Sequence, residues 1–347
     1  MALSRRGRAA PGLLHTVRIV PAPVRLILVS MVVFNIGFYL VVPFLAVHLS
    51  ENLALAGWAV GLVLGLRTFS QQGLFFIGGG IADRFGVRPV VLVGVAVRIV
   101  GFVLLGLAEQ LWSVVVAVLL VGVAAALFAP AVESANAAYG HRLEAQGVLR
   151  RTELFAVEQM CSRLGSVVGP ALGALLLVVP FSVTAVGSAA LFCLLWVAFF
   201  RWLPADANTG TGVGGTDGGP ATGEVPTLRL VWTTVLRNHA FLVFTVLCGG
   251  QLVAYNQLYL MLPEHLDRVV GGQDALGWFF TGAALLVIGG QRSVAVAATR
   301  LGHRAAIVGG LGLIAVSFLV PPVLTGSAAL GLTGLACWVV LLHLGRC

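Results

Sequence analysis

Residues 79–89 read Gly79-Gly80-Ile81-Ala82-Asp83-Arg84-Phe85-Gly86-Val87-Arg88-Pro89, a short charged stretch between the apolar runs 56–81 and 89–108. Each run is about the 20 residues that an α-helix needs to cross the hydrocarbon core of a bilayer. The stretch therefore predicts two membrane spans joined by a tight turn, in which Gly86 allows a close approach of the chain. A carboxylate beside arginines at a helix end, as at Asp83, can form charge-assisted hydrogen bonds that hold two helices together.

The same alternation of apolar runs and short loops extends along the whole chain. Of its 347 residues, 59% are hydrophobic and 10% are charged, and the mean hydropathy is +1.01. Because soluble domains carry roughly 25% charged residues, this composition excludes a water-soluble enzyme. We predict an all-α membrane protein of about ten spans. The predicted spans are 25–48, 56–81, 89–108, 111–133, 153–179, 182–200, 239–263, 275–298, 305–320 and 323–343.

The positive charges fall on one side of the predicted membrane. The chain has 21 basic residues, 13 acidic residues and a net charge of +8. If the N-terminus is cytoplasmic, every arginine outside the spans lies on the cytoplasmic side except Arg268, as the positive-inside rule requires. This pattern predicts a multi-pass protein of the plasma (inner) membrane. It argues against nucleic-acid binding, which needs a clustered basic patch.

The sequence also predicts two halves. Residues 202–226 are rich in Gly, Thr and Asp and read as a flexible linker. The segment Ala298-Thr299-Arg300-Leu301-Gly302-His303-Arg304 repeats the pattern of residues 82–88, and duplicated halves with a site between them are typical of secondary transporters. We predict a cytoplasmic N-terminal segment (1–24), an N-terminal six-helix bundle (25–201), a cytoplasmic linker (202–238) and an incomplete C-terminal bundle of about four helices (239–347).

A second patterned stretch lies in the fifth predicted span. Its glycines Gly165, Gly169 and Gly173 recur every four residues, which makes a smooth groove for a neighbouring helix in lipid. Pro170 removes a backbone donor and bends the helix. Close helix packing accounts for at least part of this pattern.

These two stretches resemble the motifs of a known family. Residues 79–88 resemble motif A of the major facilitator superfamily, G-x-x-x-D-R-x-G-x-R, at Gly79, Asp83, Arg84, Gly86 and Arg88. Residues 165–173 resemble motif C, G-x-x-x-G-P-x-x-G, of its drug:proton antiporter branch, and residues 61–102 are similar to multidrug-resistance exporters of the Mdt type. The resemblance implies two six-helix bundles around a central cavity that opens alternately to either side.

The sequence departs from that family pattern in three respects. Ten spans stand where the family has twelve, so the chain is expected to be C-terminally truncated. Val118 stands about where motif B has its arginine. The first span has no acidic residue, and its main polar residues are Ser30, Asn35 and Tyr39.

Ionisable residues inside spans are candidates for function. Arg67, Arg98 and Arg163 lie near the midplane, and Arg98 is expected to be structural because its helix is peripheral in the resembled fold. Arg67 and Arg163 either line a water-filled cavity or pair with Glu158, Gln71 or backbone carbonyls. The excess of arginine predicts poor transport of permanent cations. The candidate substrate or proton pathway consists of Arg67, Arg163, Glu158, Glu133, Asn35, Gln251 and Tyr255.

The expected function is secondary transport with a small-molecule substrate, protons and the lipid bilayer as partners, most simply proton-coupled efflux. Two alternatives remain open: a metabolite importer or facilitator of the same fold, and a truncated remnant that does not transport. We expect no catalytic residues, cofactor or metal, because the five cysteines have no metal spacing and the chain has no phosphate-binding glycine loop.

Overall fold

The fold is known from a computed structural model of the chain. It describes residues 13–176, 179–204, 237–270 and 302–346, with a gap at 324–327, together with 276–283, 285, 286, 289 and 294. The chain divides into two compact units, Met1–Gly212 and Val213–Cys347, and each is described by itself. Every regular element within the described residues is a helix.

The described part of the first unit contains eight α-helices, which are numbered in chain order. Long apolar stretches form them because a helix satisfies every backbone hydrogen bond within itself, as a membrane requires. The helices are α1 (Leu13–Ile19), α2 (Ala22–Val47), α3 (Gly57–Gly73), α4 (Phe75–Phe85), α5 (Val87–Leu107), α6 (Leu111–Ala145), α7 (Arg151–Leu175) and α8 (Phe181–Trp202). A single π-helical turn, His48–Asn52, continues α2 at its C-terminal end.

The described part of the second unit contributes α9 (His239–Val270), α10 (His303–Ser317), α11 (Val320–Val323) and α12 (Ala328–Arg346). Here α12 packs against both α9 and α10. Half of the predicted span 275–298 lies outside the described residues, and so does most of the predicted linker 202–238.

Four described helical segments are long and apolar enough to cross a membrane: Ala22–Asn52, Val87–Leu107, Leu111–Ala145 and Phe181–Trp202. The pair Gly57–Gly73 and Ile77–Phe85, bent by 44°, makes a fifth if it is one broken span. This bent pair lies over the predicted span 56–81. The chain is therefore a multi-pass helical membrane protein.

The fourth predicted span was expected to end at residue 133, next to Glu133, and this boundary was wrong. Helix α6 continues through Pro130 and Glu133 to Ala145. Residues 134–145 hold four alanines, which favour helix, and they bury Asn136, Gly140 and Leu143 along one side. Because this extension is amphipathic, its polar residues interrupt the apolar run although the helix continues. A prediction based on apolar runs therefore places the end of the helix too early.

Two glycines in the two sequence repeats have the same backbone conformation. Gly86 precedes α5 with φ 93° and ψ 158°, and Gly302 precedes α10 with φ 82° and ψ 153°. Residues with a side chain are essentially absent from this region of the φ/ψ map. Glycine is therefore required at both turns by the path of the chain.

The interior of the first unit is built on α5, α6 and α2. Helix α5 packs against α6 and α8, α2 packs against α7 and α8, and α3 and α4 pack against α6. Aromatic rings fill the centre: Phe34 of α2 stacks on Phe128 of α6 at a centroid distance of 3.8 Å, and Phe192 of α8 meets Phe34 at 5.2 Å. This packing places the side chains of the candidate site.

Candidate functional site

The turn between α4 and α5 carries three charged residues, Asp83, Arg84 and Arg88. Asp83 and Arg84 are exposed at the end of α4, with the Arg84 guanidinium 5.4 Å from the ring centre of Phe85. Arg88 donates a hydrogen bond from Nη2 to the carbonyl oxygen of Phe200 at 2.8 Å. This bond joins the start of α5 to the end of α8. Within the described residues Asp83 is in no ion pair.

The glycines at 165, 169 and 173 form the contact of α7 with α2. A Cβ at Gly165 would overlap the carbonyl oxygen of Val32, and one at Gly173 would overlap the ring of Phe44. At Gly169 a Cβ would stand 2.7 Å from Cβ of Tyr39. The predicted helix-packing groove is therefore present, and the two helices run in the same direction along it.

A polar link lies in the same interface. Asn35 of α2 donates from Nδ2 to Ser162 Oγ of α7 at 3.1 Å, and also to the carbonyl oxygen of Met31 at 2.8 Å. One turn further along α7, the hydroxyl of Ser166 donates to the carbonyl oxygen of Arg163 at 2.8 Å. The candidate residue Asn35 therefore links α2 to α7 through a hydrogen bond. Arg163 is half-buried.

Arg67 of α3 lies inside the first unit and is 7% exposed. Its guanidinium is 5.0 Å from the ring centre of Phe38, and Nη2 lies 3.5 Å from Oε1 of Gln71 one turn along the helix. The pairing with Gln71 matches one of the two alternatives left open by the sequence. The lack of a side chain at Gly122 of α6 allows α3 to pack closely against α6, since a Cβ at Gly122 would overlap Ser70 Oγ of α3.

Arg98 of α5, which the sequence predicts to be structural, is deeply buried. Its side chain is 2% exposed and surrounded by rings from three helices. The distances from its Cζ to the ring centres are 4.2 Å for Phe34, 5.0 Å for Phe192 and 5.6 Å for both Phe38 and Phe102. Cation–π contacts are stronger where the cation is desolvated. Arg98 and Arg67 thus share the ring of Phe38.

Glu158 is the buried acid of the first unit's described residues. It lies on α7, is 5% exposed, and has its Oε2 buried without a hydrogen-bond partner. The side chain of Asn136 on α6 is beside it, and the Nδ2 and Oδ1 atoms of Asn136 also lack hydrogen bonds of normal geometry. Glu133 contributes a second negative charge nearby but is itself exposed. Sequence reasoning missed Asn136.

In the second unit the rings of Tyr255, Tyr259, Phe280 and His343 form one group, the second-unit ring cluster. Tyr255 lies 5.9 Å from Tyr259 and 5.7 Å from His343, and Tyr259 stacks on Phe280 at 5.5 Å. His343 is buried and donates from Nδ1 to the carbonyl oxygen of Val339 at 2.8 Å. Gln251, one turn before Tyr255, is half-buried. Sequence reasoning also missed His343, whose position inside the apolar run 323–343 was the available signal.

The structure thus brings some candidates together within the first unit. Arg67 and Arg98 each lie near the ring of Phe38, and Asn35 of α2 donates a hydrogen bond to Ser162 of α7. The described polar neighbours of Glu158 are Asn136 and Glu133 rather than an arginine. No group of three or more potential metal ligands occurs among the described residues.

A bundle of long apolar helices with buried arginines, a buried acid and glycine-lined contacts defines a multi-pass membrane transporter. The chain belongs to the major facilitator superfamily, whose family model matches residues 27–344. It is 36% identical over 303 residues to the MFS-type transporter Rv0849 of Mycobacterium tuberculosis, covering 86% of this chain and 67% of that protein. It is 31% identical over 261 residues to the multidrug resistance protein MdtH of Escherichia coli, covering 75% of this chain and 60% of MdtH.

Solved structures show the same fold at low sequence identity. The nucleoside transporter NupG superposes with a TM-score of 0.73 at 11% identity, covering 94% of this chain and 79% of NupG. A peptide transporter POT superposes with a TM-score of 0.66 at 17% identity, covering 97% of this chain and 83% of that one. The family identifies a transporter rather than an enzyme.

Proposed function

We propose that this protein exports small molecules across the plasma membrane in exchange for protons, by alternating access. Two observations support export. The chain is similar to MdtH, which is named for multidrug resistance, and the contact of α7 with α2 is built on glycines in the pattern of motif C. The proposed transporter has a cytoplasmic N-terminus and two bundles, 25–201 and 239–347, joined by the linker 202–238. Asp83, Arg84 and Arg88 form charge-assisted hydrogen bonds that hold two helices together in one conformation of the proposed transporter and release them in the other.

In this proposal, the carboxyl group of Glu158 binds and releases the coupled proton. It is buried, its Oε2 has no hydrogen-bond partner, and its charged neighbour is the like-charged Glu133. An uncompensated carboxylate buried inside a membrane protein is costly, whereas its protonated form can donate a hydrogen bond to the amide oxygen of Asn136. A change in conformation that brings water to Glu158 therefore favours release of a proton. Proton binding and release at this residue are thereby linked to alternating access.

The test uses the purified full chain in liposomes and rhodamine B as the transported dye. An acidic vesicle interior should drive accumulation of the dye by the wild-type protein. Glu158→Gln should abolish this gradient-driven accumulation but keep dye-for-dye exchange at equal pH, because exchange requires no net proton movement. Glu144→Gln, which changes an exposed acid on α6, is the matched control and should transport normally.

The outcomes separate the parts of the proposal. Gradient-driven accumulation by Glu158→Gln at the wild-type rate would show that Glu158 is not the proton carrier. Accumulation driven only by the opposite gradient would indicate an importer. Absence of both accumulation and exchange in the wild-type protein, with the protein correctly inserted, would overturn export and favour the non-transporting alternative.

A further inference from the structure

We infer that Arg67, Arg98 and the ring of Phe38 form a binding site for an anionic group, most simply a carboxylate, on the transported molecule. This inference names the substrate class of the proposed transporter and rests on that proposed function. Its evidence is the surroundings of two buried guanidinium groups in the first unit.

Arg98 has positive charge and hydrogen-bond donors without a matching acceptor. Among the described residues its guanidinium contacts aromatic rings, and its Nε is buried without a hydrogen-bond partner. A guanidinium has five N–H donors in a planar fork. Aromatic faces attract its charge but leave the directional capacity of these donors unused. An anion that reaches Arg98 would therefore gain hydrogen bonds that the protein's described residues do not supply.

Arg67 adds a second positive charge at the same place. Its Cζ is 5.0 Å from the centre of the Phe38 ring, and that of Arg98 is 5.6 Å from the same centre. The charge of Arg67 acts on Arg98, and two like charges repel each other more strongly in the low dielectric of a membrane protein than in water. A bound anion relieves that repulsion, so the pair attracts negative charge more strongly than either arginine alone.

The buried acid of the first unit does not neutralise this pair. The described buried residues with formal charge at neutral pH are Arg67, Arg98 and Glu158. Glu158 lies on α7 beside Asn136 and Glu133, and the charge that acts on Arg98 is that of Arg67. Among the described residues, the guanidinium of Arg98 thus has no acidic neighbour.

The geometry fits a carboxylate attached to an aromatic body. A planar carboxylate can accept two parallel hydrogen bonds from one guanidinium, a geometry that lysine does not offer. Phe38 is half-buried, whereas Phe34, Phe102 and Phe192 are buried, so the Phe38 side is the more open side of the arrangement. The half-buried ring of Phe38 provides apolar surface for the rest of such a ligand.

The test compares two dyes that differ only at one carboxyl group. Rhodamine B has a free carboxylate, and rhodamine B ethyl ester has the same cationic ring system with the carboxylate masked. Binding of each dye to the purified full chain in lipid nanodiscs is measured by fluorescence anisotropy, without any gradient. The wild-type protein should bind the free acid at least about tenfold more tightly than the ester, the equivalent of about 1.4 kcal/mol.

The variants show which residues produce that preference. Arg67→Gln and Arg98→Gln should each weaken binding of the acid about tenfold while leaving binding of the ester unchanged or improved. Arg201→Gln, an exposed arginine at the end of α8, should keep the wild-type preference. Arg98→Lys keeps the charge but loses the planar fork, and should give an intermediate preference.

Two results would overturn the inference: equal or tighter binding of the ester by the wild-type protein, or equal loss of both dyes in Arg67→Gln. The second result would indicate a structural role for the arginines. If Arg98→Gln does not fold, Arg67→Gln and Arg98→Lys still decide the question. A preference for the acid without any transport would contradict the proposed function and leave the anion site standing.

Discussion

Gly169 of α7 and Tyr39 of α2 lie so close together that a Cβ added at position 169 would be 2.7 Å from Cβ of Tyr39. Real side-chain atoms do not approach to that distance, so one helix must move if glycine is replaced. The same added atom would also stand 3.1 Å from the carbonyl oxygen of Ile36. The contact between these helices therefore depends on the absence of a single methyl group.

Gly169→Ala should destabilise the protein by about 1–3 kcal/mol, the usual cost of overpacking a tight interior. Its thermal unfolding temperature in detergent, followed by tryptophan fluorescence, should fall. Gly187→Ala is the matched control, because Gly187 is exposed on α8 and a Cβ there meets nothing within 4 Å. Equal unfolding temperatures for the two variants would show that α2 and α7 separate without cost.

Trp196→Phe should weaken the attachment of α8 to α5. The indole Nε1 of Trp196 donates to the carbonyl oxygen of Leu92 at 3.0 Å. Loss of this donor should lower the free energy of unfolding by about 1 kcal/mol. The comparison is Trp112→Phe, since Trp112 is 78% exposed. Unfolding in denaturant measures both, and the prediction fails if Trp112→Phe is the more damaging change.

Arg88→Gln should loosen the turn between α4 and α5. The variant loses the 2.8 Å hydrogen bond to Phe200, so the backbone amides at the start of α5 and the end of α8 should exchange hydrogen for deuterium faster. Arg84→Gln should leave this exchange unchanged, because Arg84 is exposed and contacts the ring of the adjacent Phe85. Matching exchange rates in the two variants would contradict an anchoring role for Arg88.

Gly302→Ala should destabilise the second unit through backbone strain alone. No atom lies within 4 Å of a Cβ added at this position, but the φ of 82° and ψ of 153° are costly for any residue with a side chain. The expected loss is about 1–3 kcal/mol of unfolding free energy. Gly309→Ala, inside α10 and likewise without neighbours within 4 Å, should not destabilise. Hydrogen exchange of α10 distinguishes the two variants.

Much of the arrangement followed from local patterns. Glycines four residues apart indicated a helix contact at Gly165, Gly169 and Gly173, and the spacing of Arg67 and Gln71 by one turn allowed their pairing. Such features depend on neighbours along one helix, so the sequence contains them directly. The apolar runs likewise gave the helices but not their ends.

The surroundings of Arg98, Asn136 and His343 could not be predicted. These residues lie on helices that are apolar on most sides, so hydrophobic periodicity does not indicate which side faces the interior. Arg98 is surrounded by Phe34, Phe38 and Phe192 only because α2 and α8 both pack near α5. That arrangement depends on residues distant in sequence.

The paired turns at Gly86 and Gly302 offer a way to compare the two halves of the chain that does not depend on side chains. Side chains diverge after a duplication, and only fragments such as residues 82–88 and 298–304 still match here. The sign of a backbone dihedral angle persists as long as the turn itself does. In distant relatives, the two positive φ values mark equivalent positions of the two halves. Aligning the halves at these positions should therefore match them even where no residue identity remains.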